Sequence, residues 1–229
     1  KNVRLLTLTA EQKPDAVFVA GDMINEDADG EELGEFLELL ERLGNIAPVY
    51  FSPGNKEMDY ILEKDEGLIG KITDTGAVYL CDSFTETEIA GSTVRVGGSL
   101  GHFYNYSWSA ETRRNPPDYA MEKEIGSTGV PALVMLHMPE SIVLDRAALE
   151  WTGDLYLCGH THGGVIRIPG IGGLFAPAQG YFPEYDRGSF TVWDRELIIG
   201  AGLAGYGVIP RAFNMPEICV ITLKSAPAE

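Results

Sequence analysis

The chain has 229 residues, of which 45% are hydrophobic, and its formal net charge at pH 7 is −17. A chain of this size and apolar content can bury one substantial core, so we predict a single domain over residues 1–229. The strongly acidic balance argues against nucleic acid as a partner, because phosphate backbones are bound by clusters of Lys and Arg. No apolar run reaches the roughly 18 to 20 residues that a membrane-spanning helix needs.

Four short apolar segments predict buried strands, and each stops at polar residues of the kinds that bind metals. They cover residues 16–20, 49–52, 132–136 and 155–158, and the sequences at their ends are AGD, PGN, LH and CGHTH. Continuous apolar strands suit a sheet that is covered on both faces, and ligands gather at the carboxyl ends of such strands. We therefore expect the four strand ends to meet at one site.

A helix is predicted between the first two strands, because five apolar residues from 33 to 43 recur at helical spacing. Asp29 and Glu32 are placed as a capping pair at its start, and Gly44 as its stop. Two later regions, 84–96 and 190–199, alternate in the manner of antiparallel hairpins. This mixture predicts an α/β fold, in the form of a two-sheet sandwich with flanking helices.

Five residues at the predicted strand ends form a candidate metal site. His160 and His162 lie two residues apart on the glycine-rich turn GHTHGG, and His137 ends another strand. Asp22 and Asn55 follow glycines at the ends of the first two strands, where capping of the next helix is an alternative role. Two oxygen and three imidazole ligands suit Mn, Fe or Zn better than Ca or Mg. A carboxylate can also bridge two cations about 3.5 to 4 Å apart, a separation that suits phosphate chemistry.

The sequences GDMIN, PGNKE, HMPE and GHTHGG, in this order, resemble the successive motifs of calcineurin-like metallophosphoesterases. Two downstream segments resemble the bacterial YkuE/YaeI-like branch of that family: APAQGYFPEYDRG and GLAGYGVIPRAFNMPEICVITL. The resemblance implies two divalent metal ions. It makes Asp22 the bridging ligand, assigns Asn55, His137 and His160 to one metal, and assigns His162 to the other. The fourth histidine, His102, is interpreted as structural.

The chain departs from the family pattern at two points. The DxH motif of the family's first core strand has no counterpart, so we expect that strand and part of the second metal site to be missing, with one ion bound instead of two. Lys56 stands where the family has a histidine that steadies phosphate and helps the leaving group depart. A lysine offers positive charge but is a poorer proton donor near neutral pH, so we assign Lys56 a catalytic role with weakened activity.

The resemblance implies hydrolysis of a phosphodiester or pyrophosphate bond by metal-activated water. A small phosphorylated substrate is expected, including a lipid- or cell-wall-linked one, and the segment 163–185 is predicted to shape its entrance through Gly163, Tyr181 and Tyr185. Family resemblance favours membrane or wall association through an upstream segment, with a cytoplasmic location as the alternative. Two other functions stay open: a non-catalytic member that binds a metal or phosphorylated ligand, and a phosphomonoesterase.

Overall fold

The protein forms two β-sheets in the computed structural model, which describes residues 2–99, 101, 119–144, 149–207 and 209–224. The first sheet is parallel and has the order β1 (Val17–Val19), β2 (Val49–Phe51), β3 (Val78–Tyr79). The second sheet has six strands in the order β12-β13-β7-β6-β5-β4. Its strands are β4 (Ser83–Ile89), β5 (Ser92–Ser99), β6 (Ala132–Leu136), β7 (Leu155–Cys158), β12 (Gly188–Val192) and β13 (Arg195–Ile199). Two short ribbons pair β8 (Arg167–Ile168) with β9 (Gly172–Gly173), and β10 (Phe175–Ala176) with β11 (Gly180–Tyr181).

The two sheets pack face to face. Phe18 and Tyr50 of the first sheet lie in one apolar cluster with Val94, Val96 and Met135 of the second. Burial of this shared layer supplies the main driving force for holding the sheets together. The predicted α/β sandwich is confirmed, and the hairpins β4–β5 and β12–β13 form where alternation predicted them.

Helices cover the outer faces of both sheets. Leu40 of α2 and Phe36, whose ring packs on Phe51, cover the first sheet. Met121 of α5 and Ile142 of α6 pack against the second sheet in one cluster with Tyr156. The helices are α1 (Val3–Gln12), α2 (Gly30–Gly44), α3 (Asn55–Glu63), α4 (Leu68–Asp74), α5 (Ala120–Glu124) and α6 (Glu140–Val143). Within the described ranges, none of them is long and apolar enough to cross a lipid bilayer.

Helix α2 begins where the sequence predicted, but only one of the two predicted capping contacts forms. Asp29 caps it as predicted, since its carboxylate accepts hydrogen bonds from the backbone N–H groups of Glu31 and Glu32. The Glu32 carboxylate does not complete a reciprocal capping box. It accepts instead from the backbone and side-chain nitrogens of Asn25, at 2.8 Å each. The predicted cap by Asp29 is therefore confirmed, whereas the predicted capping role of Glu32 was wrong. Glu32 instead holds the preceding loop through Asn25.

Candidate metal centre

Asp22, His137 and His160 meet where β1, β6 and β7 end. Their ligand atoms all lie within 4.8 Å of one another. The Nε2 atom of His137 is 3.3 Å from Asp22 Oδ2 and 3.3 Å from His160 Nδ1. The Nδ1 atom of His137 lies 2.6 Å from the carbonyl oxygen of Ala20, which can only accept a hydrogen bond. That contact fixes one proton on Nδ1 and directs Nε2 towards the cluster, as in many metal-binding histidines.

The electrostatics of this cluster favour the metal-binding forms of Asp22 and His160, but they favour the protonated form of His137. Burial alone would raise the pKa of Asp22, but the charge and hydrogen bond of His137 outweigh it and lower that pKa to about 2. Burial opposes charge on His137 as well, yet Asp22 raises the pKa of His137 to about 9. Burial, followed by the charge of His137, lowers the pKa of His160 to about 3. Asp22 is thus ionised and His160 neutral near pH 7, and cation binding at His137 would release a proton.

Two further polar atoms on the predicted ligands lack a partner in the part of the chain that the structure describes. Asn55 Oδ1 and His160 Nε2 are buried and have no hydrogen-bond partner among the described residues. Buried polar atoms are nearly always satisfied, so the unpartnered oxygen of Asn55 is available to bind a ligand. An Asp, an Asn and two His make a mixed oxygen and nitrogen set that suits Mn, Fe or Zn. The residues present therefore fit the implied metal.

Close contact between two loops places Asp22 beside Asn55. Gly21 has φ +78°, and a Cβ there would lie 2.1 Å from the backbone nitrogen of Gly54, so only glycine permits the approach. Asp22 has a positive φ of 56°. Its Oδ1 atom accepts a hydrogen bond from the backbone N–H of Lys56, at 3.0 Å. The AGD and PGN loops consequently pack as one unit.

Glu57 holds these two loops together through hydrogen bonds, a role that the sequence analysis did not predict. Its fully buried carboxylate accepts backbone hydrogen bonds from Asp22 and Gly54, at 2.7 and 2.9 Å. It also accepts from the backbone N–H groups of Met23 and Ile24. A signal was available, because Glu57 is the third residue of α3 after the N-cap Gly54, where a glutamate commonly bonds the helix start.

Several side chains from later in the chain hold the GHTHGG turn in a strained conformation. His160, His162 and Val165 have φ values of 65°, 51° and 56°, a region that a β-branched residue rarely adopts. The amide of Asn214 donates to the carbonyl oxygens of His162 and Val165, at 2.7 and 3.0 Å. Such strain persists only where surrounding contacts over-determine it. Arg167 contributes by bonding both Gly163 O and the Asp186 carboxylate.

His162 lies apart from the cluster of Asp22, His137 and His160. Its Nδ1 atom is 3.4 Å from the carbonyl oxygen of Ala204, and its ring meets the edge of Tyr206 at a centroid distance of 5.4 Å. Burial lowers the pKa of His162, which keeps its ring neutral and able to bind a cation. Its assignment to a second metal stays a prediction.

Lys56 directs its ammonium group to the loop after β1. Its Nζ atom lies 3.0 Å from Asn25 Oδ1 and 3.1 Å from Glu26 Oε2. The side chain is 27% exposed and its partner Glu26 is 57% exposed, so the ion pair is a solvent-screened one. An exposed pair of this kind contributes little stability, and a phosphate group can compete for the lysine. The catalytic role of Lys56 stays a prediction.

The three predicted substrate residues occupy different environments. Gly163 is buried, and a Cβ there would lie 2.8 Å from Asn214 Oδ1, so it shapes the turn. Tyr181 is 75% exposed and contacts Phe175. Tyr185 packs on Phe190 beside the core of the second sheet. Contact of any of them with substrate stays a prediction, and His102 lies outside the described residues.

Glu140 is a second buried carboxylate near the centre, three residues after His137. Its Oε1 atom accepts a hydrogen bond from the Gln179 amide at 2.7 Å, while Oε2 is buried without a partner in the described part of the chain. The Gln179 amide also bonds the backbone N–H and carbonyl of Tyr185. Glu140 thereby connects helix α6 to the 176–185 loop.

Substitution of Glu140 should change how stability depends on pH. Burial raises the pKa of Glu140 from 4.5 to about 7, so its stabilising contribution is complete below pH 4.5 and is lost as pH rises towards 7. We expect Glu140→Gln to remove this loss of folding free energy. The loss amounts to about 3 kcal/mol, because each unit of pKa shift is worth roughly 1.4 kcal/mol. Urea unfolding of the metal-free protein at pH 5 and pH 8 measures it, with exposed Glu88→Gln as the control. Equal pH dependence in Glu140→Gln and the unaltered chain would contradict this expectation.

Together, a two-sheet α/β sandwich and a carboxylate, amide and imidazole cluster at its strand ends define a phosphoesterase-type fold and site. Residues 1–164 match the model of the calcineurin-like phosphoesterase family, and the chain belongs to that family. The predicted family is thus confirmed, and the family's general activity is the hydrolysis of phosphoesters.

Relatives support the same branch. The chain is 28% identical over 219 residues to phosphodiesterase YaeI of Escherichia coli K12, covering 95% of this chain and 73% of the relative. It is 29% identical over 109 residues to the uncharacterized metallophosphoesterase YkuE of Bacillus subtilis 168, covering 48% of this chain and 36% of the relative. Among solved structures, Thermus thermophilus SoxB, a sulfate thiohydrolase, shares the fold with a TM-score of 0.55 and 13% identity, covering 85% of this chain and 36% of that one.

Proposed function

We propose that this protein is a metal-dependent hydrolase of phosphodiester or pyrophosphate bonds in small phosphorylated compounds. The observation that carries the proposal is the cluster of Asp22, His137 and His160, whose ligand atoms lie within 4.8 Å of one another. The buried oxygen of Asn55, which has no partner among the described residues and lies on the loop packed against Asp22, supports it. The name of the relative YaeI, a phosphodiesterase, supports the diester preference. A lipid- or wall-linked substrate, and membrane or wall association, belong to the same proposal.

Each side chain has a defined task in this proposal. Asp22, Asn55, His137 and His160 would hold one divalent ion, and His162 would serve a second with Asp22. Bound ions of the Mn, Fe or Zn type lower the pKa of water and withdraw charge from phosphate oxygens. The Ala20 carbonyl orients His137, and Glu57 holds the loop that carries Asp22. The 11% exposure of the Asp22 side chain limits competition from bulk water.

The proposal is tested by turnover of bis-p-nitrophenyl phosphate and p-nitrophenyl phosphate by the purified chain. The protein is stripped of metal and then supplied separately with Mn²⁺, Zn²⁺ and Fe²⁺. We expect turnover of the diester to require metal and to exceed that of the monoester. A preference for the monoester would instead identify a phosphomonoesterase. Metal binding without turnover of either ester would identify a non-catalytic binding protein.

Lys56 is proposed to steady the phosphate without supplying a proton efficiently. We expect Lys56→His to raise kcat for diphenyl phosphate, which has a poor leaving group, by about tenfold more than for bis-p-nitrophenyl phosphate, because only the former needs a proton in the transition state. The two rates are measured with saturating metal. Lys64→His, at the end of the same helix, is the control and should change neither rate. Equal effects of Lys56→His on both esters would remove the proposed role.

A further inference from the structure

Four rings from three separate parts of the chain form a continuous row that begins at His162, the residue predicted to bind a second metal. The His162 ring contacts Tyr206 at 5.4 Å, Tyr206 contacts Phe175 at 5.8 Å, and Phe175 contacts Tyr181 at 5.7 Å, between ring centroids. All three contacts are tilted or edge-on, which is a favourable geometry for aromatic pairs. We call these four residues the ring row.

The outer end of the ring row is open to solvent. Tyr181 is 75% exposed and Tyr206 is 38% exposed, so neither side chain is a core residue. Buried packing under a loop would leave these rings covered. A row of aromatic surface that starts beside a predicted metal ligand is instead placed to contact a bound molecule.

The backbone holds the ring row in place. Phe175 and Tyr181 are opposite each other in the β10–β11 ribbon. The backbone N–H of Leu174, next to this ribbon, donates to the carbonyl oxygens of Gly164 and Ile166, which anchors it to the GHTHGG turn. The Gln179 amide closes the loop by bonding the backbone of Tyr185. Binding on the row therefore requires little ordering, which favours affinity.

We propose that the ring row is a subsite for a flat ring on the group that the substrate keeps after hydrolysis. This inference rests on the proposed phosphodiesterase function. If His162 serves the second metal as proposed, a phosphate bound there would lie next to its ring, and an ester substituent leading outward would pass Tyr206 and Phe175. A planar ring can make stacked or edge contacts with these side chains, and an alkyl group cannot.

Three diesters with the same p-nitrophenol leaving group test the subsite: the p-nitrophenyl esters of phenyl, cyclohexyl and methyl phosphate. We expect kcat/KM for the phenyl ester to exceed that for the methyl ester by about tenfold, which corresponds to about 1.4 kcal/mol. The cyclohexyl ester should fall between them. In Tyr181→Ala and Tyr206→Leu the phenyl-to-methyl ratio should approach one, whereas Tyr181→Phe should retain it. Phe213→Ala, which removes an 82% exposed ring outside the row, should leave the ratio unchanged.

Calorimetry of phenylphosphonate and methylphosphonate binding supplies a measurement that does not depend on turnover. Tighter binding of the phenyl compound, lost in Tyr181→Ala, would support the subsite. Turnover of all three esters at equal efficiency would overturn the ring row while leaving the phosphodiesterase function intact. A cyclohexyl ester that matches or exceeds the phenyl ester would show that apolar volume is selected and would overturn the preference for a flat ring. Absence of turnover of every ester would overturn the proposed function itself.

Discussion

Replacement of Asp22 by asparagine is expected to weaken metal binding and hydrolysis by orders of magnitude with little change to the fold. Asparagine has the same shape and tolerates the positive φ of 56° at this position. It can still accept the hydrogen bond from the Lys56 backbone. What it removes is the negative charge that faces His137 at 3.3 Å. A cation would then meet a neutral amide in place of the carboxylate proposed to bridge two metals.

The expected loss in metal affinity is at least about 100-fold, since changes to groups that only orient metal ligands already cost about 10- to 100-fold. We expect kcat/KM for bis-p-nitrophenyl phosphate to fall by about 1000-fold or more, because metal charge supplies several kcal/mol of transition-state stabilisation. Calorimetric titration with Mn²⁺ and Zn²⁺ measures the first quantity, and initial rates measure the second.

Asp194→Asn is a matched control for this experiment. Asp194 is exposed in the β12–β13 turn and has a φ of 59°, so the same chemical change is made in nearly the same backbone conformation. We expect its metal affinity and rates to equal those of the unaltered chain. If Asp22→Asn kept its metal affinity, Asp22 would not be a ligand and the proposed centre would be wrong.

Prediction from sequence succeeded where local pattern and burial agree. The apolar segments 132–136 and 155–158 match β6 and β7 at both ends, because a strand buried on both faces is bounded by its polar neighbours. The same pattern placed Asp22, His137 and His160 at strand ends that do converge. Topology explains the meeting of His137 and His160, because β6 and β7 are neighbouring parallel strands whose carboxyl ends lie on one edge. Asp22 follows β1 of the other sheet, and the packing of the two sheets brings it to the same place.

Sequence reasoning could not predict contacts that depend on how loops meet. The direction of the Lys56 ammonium towards Glu26, 30 residues earlier, is decided by the packing of the AGD and PGN loops. The ring row has the same origin, because His162, Phe175 and Tyr206 belong to segments with no local relation. Asn214 likewise supports a turn that lies 49 to 52 residues before it. Such contacts appear only once the whole chain is folded.

Glu57 and Glu140 present the same side chain, fully buried, in opposite environments. The Glu57 carboxylate accepts backbone hydrogen bonds from Gly54, Asp22, Met23 and Ile24 on its two oxygens. The Glu140 carboxylate accepts from the Gln179 amide, and one of its oxygens has no partner in the described part of the chain. Burial raises the pKa of both groups, and the charge of Asp22 adds to the rise at Glu57. Only at Glu57 do four donors hold the acceptor in place.

Glutamine at these two positions should therefore change stability in opposite directions at pH 8. Glu57→Gln turns an amide NH₂ towards two backbone donors, and each buried donor left unsatisfied costs about 1 to 3 kcal/mol, so we expect a loss of about 2 to 6 kcal/mol. Glu140→Gln should raise the free energy of unfolding, because it removes a buried charge that lacks compensation. Urea unfolding of both metal-free variants gives the comparison. Metal titration of Glu57→Gln should also show about 10- to 100-fold weaker binding, since Glu57 orients the loop of Asp22. Equal stability changes in the two variants would show that burial alone, and not the four backbone donors, determines the contribution of Glu57.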